Sequence, residues 1–307
     1  MNFLIIFINI ISLLIMPFIM LGIIKKTKAF WAGRKGIVLL QPLYDFIRLI
    51  KKEPIYSETT SFIFRITPIV TIASAIFAGI FVPMAGGYSI INIEFGFVIF
   101  AYVLGLGKFF SLISAMDTGS SFEGMGASRE ACFTTIVEPA FFIIIASICT
   151  LSGVYSFQSL NVFWLNKDIL GLCIVILAVI ALLIMMLIEC SRVPVDDPNT
   201  HLELTMIHEV MVLDNSGCDL ALLTWASGIK MVMISSLIYA LLIPFSLPYF
   251  ISYILYIALL SFIAILIGTI ESGIARFRMT HIFEFVFSMT AVALIILALV
   301  TIRIYGG

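Results

Sequence analysis

Apolar residues run along this chain in stretches of about 20, each long enough to cross a hydrocarbon core of roughly 30 Å as a helix. Short polar breaks separate them, and the pattern predicts eight spans, over 3–24, 62–82, 94–114, 133–154, 169–189, 223–243, 249–271 and 283–303. Strand-type alternation in segments of about 10 residues is missing from the sequence, which disfavours an outer-membrane barrel. The expected fold class is therefore all-α integral membrane, with 1–307 forming a single transmembrane domain. The first span opens without a basic n-region and closes on KKTK, where a signal peptide would show small residues, so it reads as a retained helix.

One segment breaks the rhythm. Between the first two spans, KAFWAGRKGIVLLQPLYDFIRLIKKEPIYSET is too charged to cross a bilayer, yet over 39–50 its apolar residues recur at helical spacing. This predicts an amphipathic helix lying along the interface, inside a basic interfacial segment at 25–60. Such a helix anchors to the membrane surface and can equally serve as a docking platform for a soluble partner.

Composition sharpens the class: 62% of residues are hydrophobic and 11% are charged, against about 25% charged in an ordinary soluble domain. The net charge of -1 hides a strong segregation. Nine of the 17 lysines and arginines fall within 25–65, and Arg129, Arg192, Arg276 and Arg278 belong to the same side, against Lys167 and Arg303 on the other. Positive charge stays on the cytoplasmic side of short loops. The expectation is a multi-pass protein of the inner (cytoplasmic) membrane with both termini outside, and with the acidic loop at 190–222 facing the cytoplasm. Membrane lipid is an expected partner and nucleic acid is not.

An ionised side chain near the bilayer centre costs roughly 2.5–3.5 kcal/mol on insertion scales, so such residues mark partners or polar paths. Lys108 lies inside the third span and Glu138 near the start of the fourth, while Glu189, Glu271 and Glu284 stand at span ends, where a solvated cap is an equally good reading. The densest cluster is ECSRVPVDDPNTHLELTMIHEVMVLDNSGCD. Asp197 before Pro198 predicts a helix start, after which Asn199, Glu203 and Met206 share one face and His201, Thr205 and His208 another. Protonatable groups one turn apart and shielded from water can relay protons. His208-Glu209 does not extend to H-E-x-x-H, which disfavours a metal.

A second inside loop, MDTGSSFEGMGASREACF, carries Asp117, Glu123, Arg129 and Glu130 among glycines that let a partner approach the backbone. It lacks a phosphate-loop signature, and no Ser/His/Asp arrangement is identifiable. The five cysteines include no C-x-x-C pair, which argues against an iron-sulfur cluster or zinc site in this chain. No inverted-repeat symmetry of the secondary-transporter kind is apparent.

Together, GRKGIVLLQPLYDFIRLIKKEP, LISAMDTGSSFEGMGASRE and SRVPVDDPNTHLELTMIHEVMVLDNSG resemble the membrane-anchor subunit shared by respiratory complex I and by the energy-converting (group 4) nickel-iron hydrogenases, including formate hydrogenlyase. THLELTMIHE is similar to the hydrogenase branch, whereas quinone-reducing relatives typically carry an R-x-P-F-D-x-x-E core. The resemblance implies a coupling subunit with no catalytic or redox centre of its own. Nickel-iron and iron-sulfur centres would sit in partners: hydrogenase-like large and small subunits, a ferredoxin-like subunit and antiporter-like membrane subunits. It implies that Glu138, Glu189, Asp196, Asp197, Glu203 and Glu209, joined by Lys108, line a proton path. Arg34, Lys35, Asp45 and Arg48, with Asp117, Glu123 and Arg129, would meet the soluble arm. The alternatives are a quinone-site subunit of an NADH dehydrogenase-like complex and a stand-alone ion transporter.

The charge bias makes a topological prediction. Single cysteines placed in the 190–219 loop and at the C-terminus are expected to react with membrane-impermeant maleimide from opposite sides, and labelling of both from one side would reject the assignment.

Overall fold

The computed structural model describes residues 3–87, 89–157, 160, 169–196, 206–244 and 247–305. Eight helices among them are long and apolar enough to span a membrane: α1 (Phe3–Trp31), α3 (Phe62–Gly79), α4 (Gly96–Asp117), α5 (Ser121–Ser152), α6 (Ile169–Glu189), α8 (Gly217–Leu242), α9 (Tyr249–Gly273) and α10 (Met279–Tyr305). The chain is an all-helical integral membrane protein. Two shorter helices, α2 (Gln41–Ile50) and α7 (His208–Met211), complete the described set apart from one 3-10 turn at Ala85–Gly87. α2 falls within the basic segment expected at the interface, with Pro at its start, where a missing N–H costs nothing.

The bundle is organised around α8, which packs against α1, α2, α3, α6 and α9. In its most apolar stretch 72% of residues are buried, although its mean hydropathy, 1.6, is well below the 3.3 of α6. A helix surrounded by protein needs small residues for close approach more than it needs greasy ones. Gly228 meets that need: a Cβ there would come within 2.9 Å of the Pro17 Cβ on α1. On the outer side α3 packs on α4, α4 on α5, α5 on α10 and α10 on α6, while α1 carries α9.

Two boundaries differ most from the sequence pattern. α1 continues through KKTK to Trp31, so its basic residues extend a helix instead of ending it. α5 begins at Ser121, twelve residues before the apolar run that marks the fourth span at 133. The stretch expected as a glycine-bearing loop thus holds just over three helical turns. This part packs on α7: a Cβ on Gly126 would stand 2.8 Å from the Ile207 carbonyl.

Between α1 and α2 the chain folds back so tightly that a Cβ on Gly22 would lie 1.9 Å from the Leu39 carbonyl oxygen. Gly22→Ala is therefore expected to lower stability in a detergent unfolding titration by about 1–3 kcal/mol. Gly124→Ala, in a helical position where the added Cβ meets nothing within 4 Å, is expected to be neutral or to raise stability by up to about 1 kcal/mol.

Candidate functional site

A buried charge cluster joins three membrane helices. Lys108 on α4 directs its Nζ to Glu189 Oε1 at the end of α6 (2.5 Å), to Glu130 Oε1 on α5 (3.4 Å) and to Thr134 Oγ1 (2.9 Å). The side chains of Lys108 and Glu189 are each 9% exposed. Glu189 is thus a buried counter-ion, not the solvated helix cap that its position equally allowed. Glu130, Thr134 and Glu138 follow one another at intervals of four residues, which aligns them on one face of α5. Glu138 is half-buried and shares with Lys108 and Glu189 a small cavity floored by Phe100, Phe141 and Met185. Pro139, next to it, cannot donate the backbone hydrogen bond that the Thr135 carbonyl would otherwise accept, which leaves a polar backbone group one turn away.

A second cluster lies between α1, α9 and the segment after α6. Glu271, whose side chain is 1% exposed, pairs with Lys28 Nζ (2.9 Å) and Arg192 Nη1 (3.4 Å). Nearby, Asp196 ties the loop together: Oδ1 pairs with Arg276 Nη2 (3.0 Å), while Oδ2 accepts from the backbone N–H of Ile207 (3.2 Å) and of His208 (2.9 Å). Arg129 donates from Nη1 to the Met206 carbonyl (3.1 Å) and holds the same stretch against α5. Asp196 therefore ties the segment after α6 to the start of α7; Asp197 and Glu203 lie outside the described residues, as do the expected helix start and His201.

Around the second cluster a cavity of about 320 Å³ opens beside α2. Its walls combine Phe18, Phe46 and Trp225, whose rings stand 5.0–6.0 Å apart, with Asp45, Lys28, Arg192, His208, Glu209 and Glu271. The Trp225 indole is fixed by donating to the Leu14 carbonyl (3.1 Å). His208 stands within the fields of Glu130, Lys230, Asp196 and Lys108, and burial holds its imidazole below the ordinary histidine range. At neutral pH the ring is therefore neutral, with one nitrogen free to accept a proton.

The residues expected to dock a partner divide into two groups. Arg34, Lys35 and Arg48 are exposed, and Asp45 is half-buried at the cavity, where it accepts from Gln41 Nε2 (2.9 Å). Asp117, Glu123 and Arg129 bond within the chain: Asp117 Oδ2 accepts from the Ser61 N–H (2.7 Å), and Glu123, wholly buried, accepts from the Asp214 N–H (3.1 Å). Sequence reasoning missed Glu130, Lys28 and Arg192 as site members. The four-residue spacing of 130, 134 and 138 signals Glu130 once 121–132 is seen as helix. The ionic partners of Glu271 leave no such signal, because they come from distant parts of the chain. Among the described residues no three His, Cys, Asp or Glu side chains gather as metal ligands.

Eight membrane helices that enclose a lysine–glutamate cluster beside an interfacial cavity define a polytopic membrane subunit with an ionisable interior. The chain belongs to the NADH dehydrogenase family, whose model matches residues 3–302. It is similar to hydrogenase-4 component C of Escherichia coli K12, with 29% identity over 245 residues, covering 76% of this chain and 73% of that protein. Formate hydrogenlyase subunit 4 of the same organism is 24% identical over 226 residues, 73% of this chain and 72% of that one. NADH-ubiquinone oxidoreductase chain 1 of Triticum aestivum is 27% identical over 226 residues, 69% and 66% of the two chains. The fold is shared with a chain in the structure of the membrane-bound sulfane sulfur reductase, an archaeal respiratory membrane complex, at a TM-score of 0.78 with 18% identity, covering 96% of this chain and 99% of that chain. The protein is thus a membrane subunit of a complex I-related complex.

Removing a single partner from a buried ion pair leaves the other charge uncompensated. Lys108→Met is expected to lower the stability of the folded chain by about 3–5 kcal/mol. Adding Glu189→Gln should recover part of that loss, and strictly additive effects in the double-mutant cycle would contradict the pairing.

Proposed function

We propose that this subunit couples electron transfer in a docked, hydrogenase-type redox arm to proton or sodium movement through neighbouring antiporter-like subunits. The observation that carries the reading is the run of ionisable groups from Glu138, through Lys108, Glu130 and Glu189, to His208 and the cavity where Glu209, Asp45 and Glu271 stand. Carboxylates and an imidazole buried at such intervals can exchange protons when a charge appears or disappears nearby. Lys108, flanked by two carboxylates, holds the middle of the run: a proton arriving on either glutamate weakens its ion pair and frees the lysine toward Glu138. Arg34, Lys35 and Arg48 on the exposed basic segment are the proposed contact for the soluble arm. The redox centres, nickel-iron and iron-sulfur, belong on this reading to partner subunits, and both termini face away from the arm. The hydrogenase-4 and formate hydrogenlyase relatives support the hydrogenase branch, as does THLELTMIHE in the loop.

A second reading, a quinone-site subunit, is favoured by the cavity itself, whose Phe18, Phe46 and Trp225 offer a ring-binding wall beside α2. Extraction of the purified complex separates the two: stoichiometric bound quinone supports the second reading, and its loss of function on washing with quinone-free lipid would confirm a working site.

Glutamine keeps the shape and hydrogen-bonding reach of glutamate while removing the titratable group. Glu138→Gln, Glu203→Gln and Glu209→Gln are expected to leave the amount of assembled complex unchanged while ion-coupled turnover per complex falls by about 10²-fold or more. Wild-type coupling in all three would sink the proposal, and a loss confined to assembly would assign these groups a structural part instead.

A further inference from the structure

Helices α6 and α9 both pack against α8 and leave a crevice between themselves, floored in part by α10. Its volume is about 240 Å³, and every residue lining it is apolar, among them Leu183 and Leu187 of α6, Ile267 and Ile270 of α9, and Phe277 and Phe285. Met186 and Ile267 form a buried base, whereas Ile180 is 43% exposed at the lip, so the crevice opens sideways, toward the surroundings of the bundle. At the end that carries the charged clusters it is closed by Pro194 and Phe277, which are joined by a backbone hydrogen bond of 3.1 Å. Directly after Phe277 stands Arg278, which is exposed, while its neighbour Arg276 is engaged by Asp196.

We propose that this crevice holds one acyl chain of an anionic phospholipid, with the lipid phosphate on the Arg278 guanidinium. The crevice lies along two membrane-spanning helices, so the medium that meets it is hydrocarbon. A slot with no polar atom in its walls gives water nothing to bond, while an acyl chain restores the dispersion contacts that an empty slot forfeits. Arg278, exposed and one residue beyond the Phe277 that closes this end, adds what hydrocarbon alone does not supply, a positive charge on the headgroup side. Arginine binds phosphate oxygens through a planar fork, which distinguishes an anionic lipid from a zwitterionic one whose own cation competes. The site is separate from the cavity beside α2, which is built from α1, α8 and the segment after α6.

The test uses the full chain purified from membranes in mild detergent, titrated with phosphatidylglycerol or phosphatidylcholine and read by native mass spectrometry. The wild-type chain is expected to keep one phosphatidylglycerol more tightly than phosphatidylcholine. Arg278→Gln should lose about tenfold in affinity for the former and little for the latter, the loss of one charge-assisted hydrogen bond. Ile270→Trp, which fills the slot, should abolish the tight site, while Ile265→Trp, on the exposed side of the same helix, should leave it intact. Because Arg278 is at the surface, its variant remains informative even if Ile270→Trp does not fold. Equal affinity for the two lipids in the wild type, with no change in Arg278→Gln, would overturn the proposal. So would a chain that retains no lipid while a cysteine at Ile180 cross-links to a membrane subunit of the complex.

Discussion

An ammonium group in the middle of a membrane bundle must be compensated, and the surroundings of Lys108 follow from that requirement. One carboxylate would neutralise it; two carboxylates and a hydroxyl surround it. The arrangement draws on α4, α5 and α6, so the charge also fixes how three helices sit relative to one another. Such a cluster contributes little net stability compared with an apolar packing of the same volume, because desolvation offsets most of the attraction. Its presence therefore asks for another role, and a surplus of negative charge around one lysine is the property that lets a proton be taken up without an isolated charge being created.

The same electrostatic logic shapes the loop after α6. Asp196 is wholly buried and faces Arg276, yet its second oxygen is used on the backbone N–H groups of Ile207 and His208. One carboxylate thus joins the segment after α6 to the start of α7 and sets the position of His208 at the cavity wall. Glu271 does the equivalent for α9, drawing Lys28 and Arg192 onto one point. The extension of α1 past its apolar run is what brings Lys28 within reach, so a helix end that looks like a stop signal in the sequence becomes part of the ionic framework.

The membrane fold was legible because lipid imposes a length and a composition on every spanning helix, and the run at 169–189 even matches α6 at both ends. The short helix at Gln41–Ile50 was legible too, from apolar residues at helical spacing inside a basic segment. What the pattern did not contain was the helix at 121–132. Glu123, Arg129 and Glu130 make that stretch look like solvent-facing loop, whereas in the fold it packs on α7 and pairs with Lys108. The placement of Asp117, Glu123 and Arg129 within the chain was hidden for the same reason: their bonding partners, Ser61, Asp214 and Met206, are 56, 91 and 77 residues away. Individual buried charges could be picked out one at a time, but their pairing depends on the order in which the helices pack, which hydropathy does not encode.

That order has a functional corollary. α5 carries Glu130, Thr134 and Glu138 on one face, and Pro139 interrupts its hydrogen bonding just beyond them. A continuous helix would hold this ladder rigidly; a proline leaves one carbonyl unbonded and allows the turn around Glu138 to adjust at little cost. Glu138 is half-buried, beside a cavity between α4, α5 and α6. On the proposed reading, the rigid part of the ladder meets Lys108 and the adjustable part meets the neighbouring subunit. A charge change in the cavity beside α2, felt through His208 and Glu189, would then reach the side of the bundle without any helix having to move as a whole.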